Sequence, residues 1–321
     1  MTALVTGAAG FIGSTLVRSL TSRGITVRGV DNFDSYYDPS LKERNAASLA
    51  HPDFTLVRAD LSKDPLEDVL EGVSVIYHLA GRPGVRGSWG RDFDFYTAAN
   101  ITATQRLLEY ATASARPPRI VYASSSSVYG DAEIYPTHET ARPSPRSPYG
   151  VTKLAGEHLC SLYAANFGVP TVALRFFTVY GPRQRPDMAF TRFLRAALTR
   201  EPVPLYGSGE QVRDFTYVGD IVRAIAAAGE ADVPAGSVLN VSGGGSHSVN
   251  EVLDVIERLV GTNVPVDRRP RADGDVMRTG ADTRSITELL DWRPRVSLED
   301  GLAAQLAWVR EAVSNGSLAA V

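Results

Sequence analysis

The chain has 321 residues, 44% hydrophobic and 21% charged, with a formal net charge of -3. That length accommodates one generous α/β domain plus a smaller lobe, and the charge balance supplies no global basic field for nucleic acid or an anionic membrane. The single cysteine, Cys160, excludes an internal disulfide and a thiol pair for metal, the five histidines lack metal-ligand spacing, and no stretch reaches the roughly 18 apolar residues of a membrane span.

The chain enters directly at strand-like Ala3–Thr6, with no charged and apolar leader pattern, so a cytoplasmic location is expected. Leu4-Val-Thr-Gly7-Ala-Ala-Gly10-Phe-Ile-Gly13 then reads as a strand, a tight glycine turn and the start of a helix over Phe11–Ser22. The spacing G-x-x-G-x-x-G meets the same needs as the commoner G-x-G-x-x-G: a sharp turn, close backbone approach to phosphate, and close helix packing. Helix-terminal N–H groups there seat a dinucleotide pyrophosphate, which makes Gly7, Gly10, Phe11, Ile12 and Gly13 candidate cofactor contacts. A second strand, Thr26–Val30, delivers Asp31, whose carboxylate can accept bonds from the adenosine ribose hydroxyls and would repel a 2′-phosphate. Asn32 follows with no arginine immediately after it, so NAD is expected in preference to NADP. Strands Thr55–Arg58 and Val75–Leu79 lead into Asp60-Leu61 and Leu79-Ala80-Gly81, at carboxyl ends where open α/β sheets bind ligands. The helical stretch Phe93–Ala113 contributes Asn100 to the candidate cofactor set.

Strand Ile120–Ala123 lacks polar alternation, as expected when both faces are covered, and runs into Ser124-Ser125-Ser126-Ser127-Val-Tyr-Gly130. Ser147-Pro-Tyr149-Gly-Val-Thr-Lys153 opens a helix over Tyr149–Phe167 and puts Tyr149 and Lys153 on one face. A phenol normally titrates near pH 10, so it needs a neighbouring positive charge to act as a base at neutral pH. Lys153 and the nicotinamide of NAD⁺ both favour the phenolate, and a serine hydroxyl can share the substrate's proton. After strand Thr171–Leu174 the pattern changes, with Pro182, Pro186, Pro202 and Pro204 punctuating helix Ala189–Thr199 and the short Pro204–Tyr206. Val218–Ala228 and Ser237–Val241 read as sheet-domain material, Asn250–Leu259 as the smaller lobe, and Ser314–Val321 as a loose tail. The expected fold class is α/β, a doubly wound parallel sheet spanning residues 1–175 to which 213–242 returns, with a smaller interleaved lobe over 176–321.

In this order the motifs resemble those of extended short-chain dehydrogenases/reductases of the nucleotide-sugar epimerase/dehydratase group, over nearly the whole chain. The UDP-glucuronate 4-epimerases of that group are most similar, through Asp31-Asn-Phe-Asp-Ser-Tyr-Tyr-Asp38, Leu174-Arg-Phe-Phe-Thr-Val-Tyr-Gly-Pro182, Arg185-Pro-Asp-Met188 and Arg213-Asp-Phe-Thr-Tyr217. The resemblance implies a Rossmann-like domain holding NAD, a lobe holding the nucleotide sugar, and a homodimer pairing the Phe93–Ala113 and Tyr149–Phe167 helices. It gives Ser125 the role of assisting Tyr149 and Lys153, turns Ser126 and Ser127 toward the sugar, and brings Phe176 near the nicotinamide. Thr178 and Arg185 match positions that meet the sugar's C6 group, Arg213 one that contacts the UDP phosphates, and Asp275 one near the uridine ribose. Two departures stand out. Ala272 occupies a position where many relatives carry a polar or basic residue, and Gly81-Arg-Pro-Gly84 replaces Ala-Gln-Ala-Gly, leaving Arg82 without a role.

Dehydratases of the superfamily carry an Asp-Glu pair where this chain has Ser126 and Ser127, and decarboxylases carry a glutamate in the serine loop. The expected reaction is therefore 4-epimerisation of UDP-glucuronate to UDP-galacturonate. The rivals are a UDP-glucose 4-epimerase, which needs no positive group at C6, and a non-catalytic NAD-sensing protein, which would typically lose the Tyr/Lys pair.

Overall fold

The structure, a computed structural model, describes residues 1–270 and 276–318. Six successive strands, β1 (Thr2–Thr6), β2 (Thr26–Asp31), β3 (Phe54–Arg58), β4 (Val75–His78), β5 (Arg119–Ser125) and β6 (Thr171–Phe176), join Ser237–Val241 in a seven-stranded sheet. Its order is (Ser237–Val241)-β6-β5-β4-β1-β2-β3, and every pairing is parallel. This is the Rossmann-type doubly wound arrangement, and its strand order reverses between β1 and β4. The crevice outside the strand carboxyl ends at that reversal is where such sheets bind ligands.

Helices cover both faces, which is why the strands read as unbroken apolar runs. On one face Leu16, Val17 and Leu20 of helix Phe11–Thr21 and Ile221 and Ile225 of helix Val218–Glu230 pack on Val5, Val27, Val121 and Val172. On the other, Leu107 and Leu108 of helix Ala103–Ala113 and Cys160 and Tyr163 of helix Pro148–Phe167 pack on Leu4, Ile76, Ile120 and Tyr122. Each fully buried leucine or isoleucine contributes about 1.5–3 kcal/mol, so these two layers anchor the sheet.

The stretch expected as one helix over Phe93–Ala113 is helical throughout, but Ala98–Thr102 forms a π turn between Phe93–Thr97 and Ala103–Ala113. A single widened turn leaves apolar spacing nearly unchanged on either side, so periodicity cannot reveal it. Asn100 sits in that turn.

The second lobe gathers helices Ala189–Thr199, Val249–Val260 and Leu298–Ser314 around Phe193, Leu194, Val252, Ile256, Leu306 and Val309. Strands Val203–Tyr206 and Val266–Arg269 pair in parallel at its edge. Helix Val249–Val260 starts at a capping box made by Ser248 and Glu251 and stops at left-handed Gly261, signals already present in the sequence. The tail differs from expectation over its first part. Leu318 is buried in the lobe core and its N–H donates to the Ala312 carbonyl at 3.0 Å, because an apolar side chain is available to dock. Among the described residues no helix is long and apolar enough to cross a membrane.

Candidate active site

A cavity of about 420 Å³ opens at the carboxyl ends of β1, β2, β4, β5 and β6. At its centre the chain leaves β1 through Gly7, whose φ of +67° suits glycine, and turns back so that the Gly10 N–H donates to the Gly7 carbonyl at 3.0 Å. A Cβ on Gly13 would fall 2.0 Å from the same carbonyl, so only glycine lets the helix start this close to the turn. No side chain caps helix Phe11–Thr21, and its first N–H groups remain available to an anion.

The floor is rigid. The Thr6 hydroxyl accepts from the N–H groups of Leu79 (3.1 Å) and Ala80 (3.0 Å) and meets His78 Nδ1 at 2.8 Å, while His78 Nε2 meets the Thr104 hydroxyl at 3.0 Å. Complete burial pushes His78 down to about 3, so it works here as a neutral strut rather than a base. On the β2 side, Asp31 accepts from the N–H groups of Ala9 (3.1 Å) and Phe33 (2.8 Å). Lys42 Nζ lies 3.6 Å from the same carboxylate, a cation that the sequence reading missed. Its signal was Asp38-Pro39: Asp38 caps and Pro39 opens helix Pro39–Ala47, which carries Lys42 back toward Asp31. Asn32, Asp60 and Leu61 line the same end.

The β5 side carries Tyr149, Lys153 and the serine loop. Ser147 Oγ accepts the Gly150 N–H at 3.1 Å, capping helix Pro148–Phe167, so Tyr149 falls in the first turn and Lys153 one turn later on the same face. Lys153 is buried; its ammonium donates to the Ala123 carbonyl at 2.9 Å and stands 5.2 Å from the centre of the Tyr122 ring. Burial lowers Lys153 to about 8. Burial also raises the Tyr149 phenol, against the pull of a hydrogen bond with Ser125 and the charge of Arg185. The phenol thus holds its proton in the bare protein, and a positive charge added beside it would favour the phenolate.

Beneath the serine loop lies a buried ion pair that motif reading did not single out. Glu157 accepts from the Ser124 hydroxyl at 2.7 Å and from Arg175 Nε at 3.0 Å, and pairs with Arg175 Nη2 as well. Arg175 Nη1 donates to the Tyr129 hydroxyl (2.7 Å) and the Glu139 carbonyl (3.0 Å). The signal was position: Glu157 follows Lys153 by one helical turn.

The depressed Lys153 has a measurable consequence in cofactor-free protein. Below about pH 8 it is charged both folded and unfolded, and the folded state bears the full penalty of burying that charge. Between about pH 8 and its unfolded value near 10.4, the unfolded chain keeps a proton the folded chain has lost, so stability rises with pH. Relative to Lys153→Met, wild type should therefore gain about 3 kcal/mol between pH 7 and pH 10.5. Urea unfolding of both proteins across that range checks it, and a gap independent of pH would mean that Lys153 is not depressed.

Ser125, Ser126, Ser127, Phe176, Thr178 and Arg185 line the remaining wall. Arg185 presents Nε and Nη2 to Asp187 at 3.0 and 2.9 Å, so its charge is already balanced. Asn100 does not open onto the cavity. Its Nδ2 donates to the Arg82 carbonyl (3.0 Å) and the Thr152 hydroxyl (2.9 Å), while its Oδ1 accepts the Arg82 N–H (2.8 Å), bracing the loop after β4. Arg213 lies outside the cavity wall, on strand Val212–Asp214, donating to the carbonyls of Val212 and Val276. Asp275 falls outside the described residues, together with Arg271 and Ala272. Asp34, Tyr36, Tyr37, Arg82 and Met188 also line the cavity, though no role had been read for them. Among the described residues no cluster of side chains could hold a metal ion.

The sequence profile of the NAD dependent epimerase/dehydratase family matches residues 3–242. The chain belongs to this family. Among NAD dependent epimerase/dehydratase relatives, YtcB of Bacillus subtilis (strain 168), described as an uncharacterized UDP-glucose epimerase, is 44% identical over 96% of this chain and 98% of its own. The UDP-glucuronic acid 4-epimerase of Bacillus cereus, solved with UDP-glucuronic acid and NAD, is 41% identical and superposes with a TM-score of 0.93, covering 97% of this chain and 99% of that one. MoeE5, solved with UDP-glucose and NAD, is 42% identical with a TM-score of 0.88, covering 98% of this chain and 100% of its own. It has also been solved with UDP-glucuronic acid and NAD.

Proposed function

We propose that the protein is an NAD-dependent UDP-glucuronate 4-epimerase. The observation that carries the reading is one cavity that runs from the glycine turn and Asp31 to Tyr149, Lys153 and Ser125, then on to Thr178 and Arg185. The uncapped helix start fits a pyrophosphate and Asp31 fits a ribose diol. Residues 1–175 with 213–242 would hold the cofactor, and most of 176–321 the nucleotide sugar, with Arg213 and Asp275 toward the UDP.

NAD, when bound, supplies a hydride acceptor at C4 of the sugar and later the hydride donor. Tyr149 takes the C4 hydroxyl proton, Ser125 shares it, and Lys153 holds the phenolate. The resulting 4-keto sugar turns about its diphosphate link and is reduced on its other face, while Tyr149 returns the proton. Because the cofactor is regenerated in every cycle, it has no need to leave.

The 4-keto form of glucuronate is a β-keto acid, prone to lose CO₂. In this reading Ser126, Ser127, Thr178 and Arg185, which line the cavity, hold the carboxylate so that its breaking bond cannot align with the ketone. Arg185→His and Thr178→Ala should each release UDP-pentose that wild type does not, read by NMR of the anomeric protons. Absence of pentose from both would remove this account. The exposed Leu162 and Phe167 of helix Pro148–Phe167 suit the pairing surface of a homodimer, and a cytoplasmic location accompanies the reading.

A second reading, 4-epimerisation of UDP-glucose, draws on Asp187. With Arg185 already balanced, a neutral C6 hydroxymethyl group leaves no stranded cation in the site. An NMR time course with each sugar, without added NAD, separates the two. Growth of UDP-galacturonate without pentose is the expected result. An unchanged UDP-glucuronate spectrum even with NAD supplied, beside turnover of UDP-glucose, would transfer the assignment.

A further inference from the structure

We propose that Arg82 and Asp34 form a clasp across the cofactor cavity, making Arg82 a positioning residue that sets how long NAD stays bound. The proposal rests on the NAD reading above. Asp34 lies three residues beyond the end of β2 and Arg82 four beyond the end of β4, the two strands that flank β1. Parallel neighbours stand about 4.8 Å apart, so the two loops rise about 10 Å from one another, on either side of the glycine turn. The ion pair spans that gap: Arg82 Nη1 donates to Asp34 Oδ1 at 2.9 Å and to Oδ2 at 3.0 Å, and both side chains line the cavity.

The pair is not a loose surface contact. The guanidinium lies among the rings of Phe95, Tyr36 and Tyr96, at 4.8, 5.1 and 5.9 Å from their centres, and its side chain is only 15% exposed. The Tyr36 N–H donates to Asp34 Oδ1 at 2.7 Å, and the Tyr96 hydroxyl to the Pro83 and Gly84 carbonyls at 2.8 and 3.1 Å. Asn100 holds the Arg82 backbone on the far side. Asp31, Asp34, Arg82 and Tyr149 all line this one cavity. In the proposed clasp a dinucleotide stretched from Asp31 to Tyr149 lies beneath the bar, and its arrival and departure require the pair to part. Arg82 thereby gains the role that its sequence context left open.

The test is the rate at which bound NAD exchanges with isotopically labelled NAD, followed by mass spectrometry on full-length protein. Arg82→Gln and Asp34→Asn should each speed exchange roughly tenfold or more, with activity becoming dependent on added NAD. The double variant Arg82→Gln/Asp34→Asn should exchange no faster than the faster single variant, because a clasp broken once has nothing further to lose. If Arg82→Gln does not fold, Asp34→Asn alone still decides. Exchange at the wild-type rate in the single variants overturns the clasp while leaving the epimerase reading intact. Effects of the two single variants that add up in the double variant also overturn it, in favour of direct contact through Arg82 Nε, which is buried without a hydrogen-bond partner. A wild-type protein that neither carries nor takes up NAD overturns the functional reading, and the clasp with it.

Discussion

Tyr149→Phe should lower kcat for UDP-glucuronate by about 10³-fold and leave UDP-sugar and NAD binding within a few-fold of wild type. The substitution removes one oxygen. The ring keeps its edge-on packing against Tyr96, 6.4 Å between centres, so the cavity wall and the helix start are preserved. What disappears is the atom proposed to take the C4 proton as hydride leaves, an interaction that would be strongest in the transition state, so kcat should fall while substrate affinity holds. The electrostatics sharpen the expectation. Burial raises the Tyr149 phenol, so it is a poor base until a positive charge stands beside it, while Lys153, lowered to about 8, still carries its own charge at pH 7. Progress curves for the two proteins, paired with calorimetric titration of UDP-glucuronate, give both quantities. A loss below tenfold would assign the proton transfer to another group, with Ser125 the first to examine.

Glu157→Gln should destabilise the protein by about 3–5 kcal/mol, because it strands Arg175 as an uncompensated charge in a dry site. Both side chains of the pair are only 4% exposed, leaving water little chance to replace the lost carboxylate. Ser124 would exchange a charged acceptor for a neutral one, loosening the loop that presents Ser125 to Tyr149. Activity should therefore fall further than the unfolded fraction accounts for. A double variant, Glu157→Met with Arg175→Met, strands neither charge and should recover most of the stability though not the activity. Urea unfolding midpoints and kcat for the three proteins test this. A double variant as unstable as the single one would show that the bonds to Ser124, Tyr129 and the Glu139 carbonyl matter more than the stranded charge.

These two sites differ in how far they could be read from the sequence. Tyr149 and Lys153 lie one helical turn apart, and the glycine turn sits within seven residues, so local spacing carried both. The strands of the seven-stranded sheet were equally readable, since helices on both faces demand continuous apolar runs. Contacts across the fold were not. Glu157 and Arg175 are 18 residues apart and Arg82 and Asp34 are 48 apart, and nothing local announces that either pair meets. Lys42 hid for the same reason, its path to Asp31 depending on where a short helix docks. The π turn at Ala98–Thr102 escaped because one extra residue barely disturbs periodicity. Leu318 escaped because a single leucine after the polar run Ser314-Asn-Gly-Ser317 looks like a tail until a surface is there to receive it.

The last strand of the sheet, Ser237–Val241, is delivered only after the chain has left β6, built part of the other lobe and come back. Cutting after residue 175 would leave β6 with an open edge and strip helix Val218–Glu230 from the sheet face. Neither part is therefore a cassette that recombination could lift out and graft elsewhere. New sugar preferences on such a scaffold have to arise by substitution and loop change within one continuous gene, not by exchange of modules.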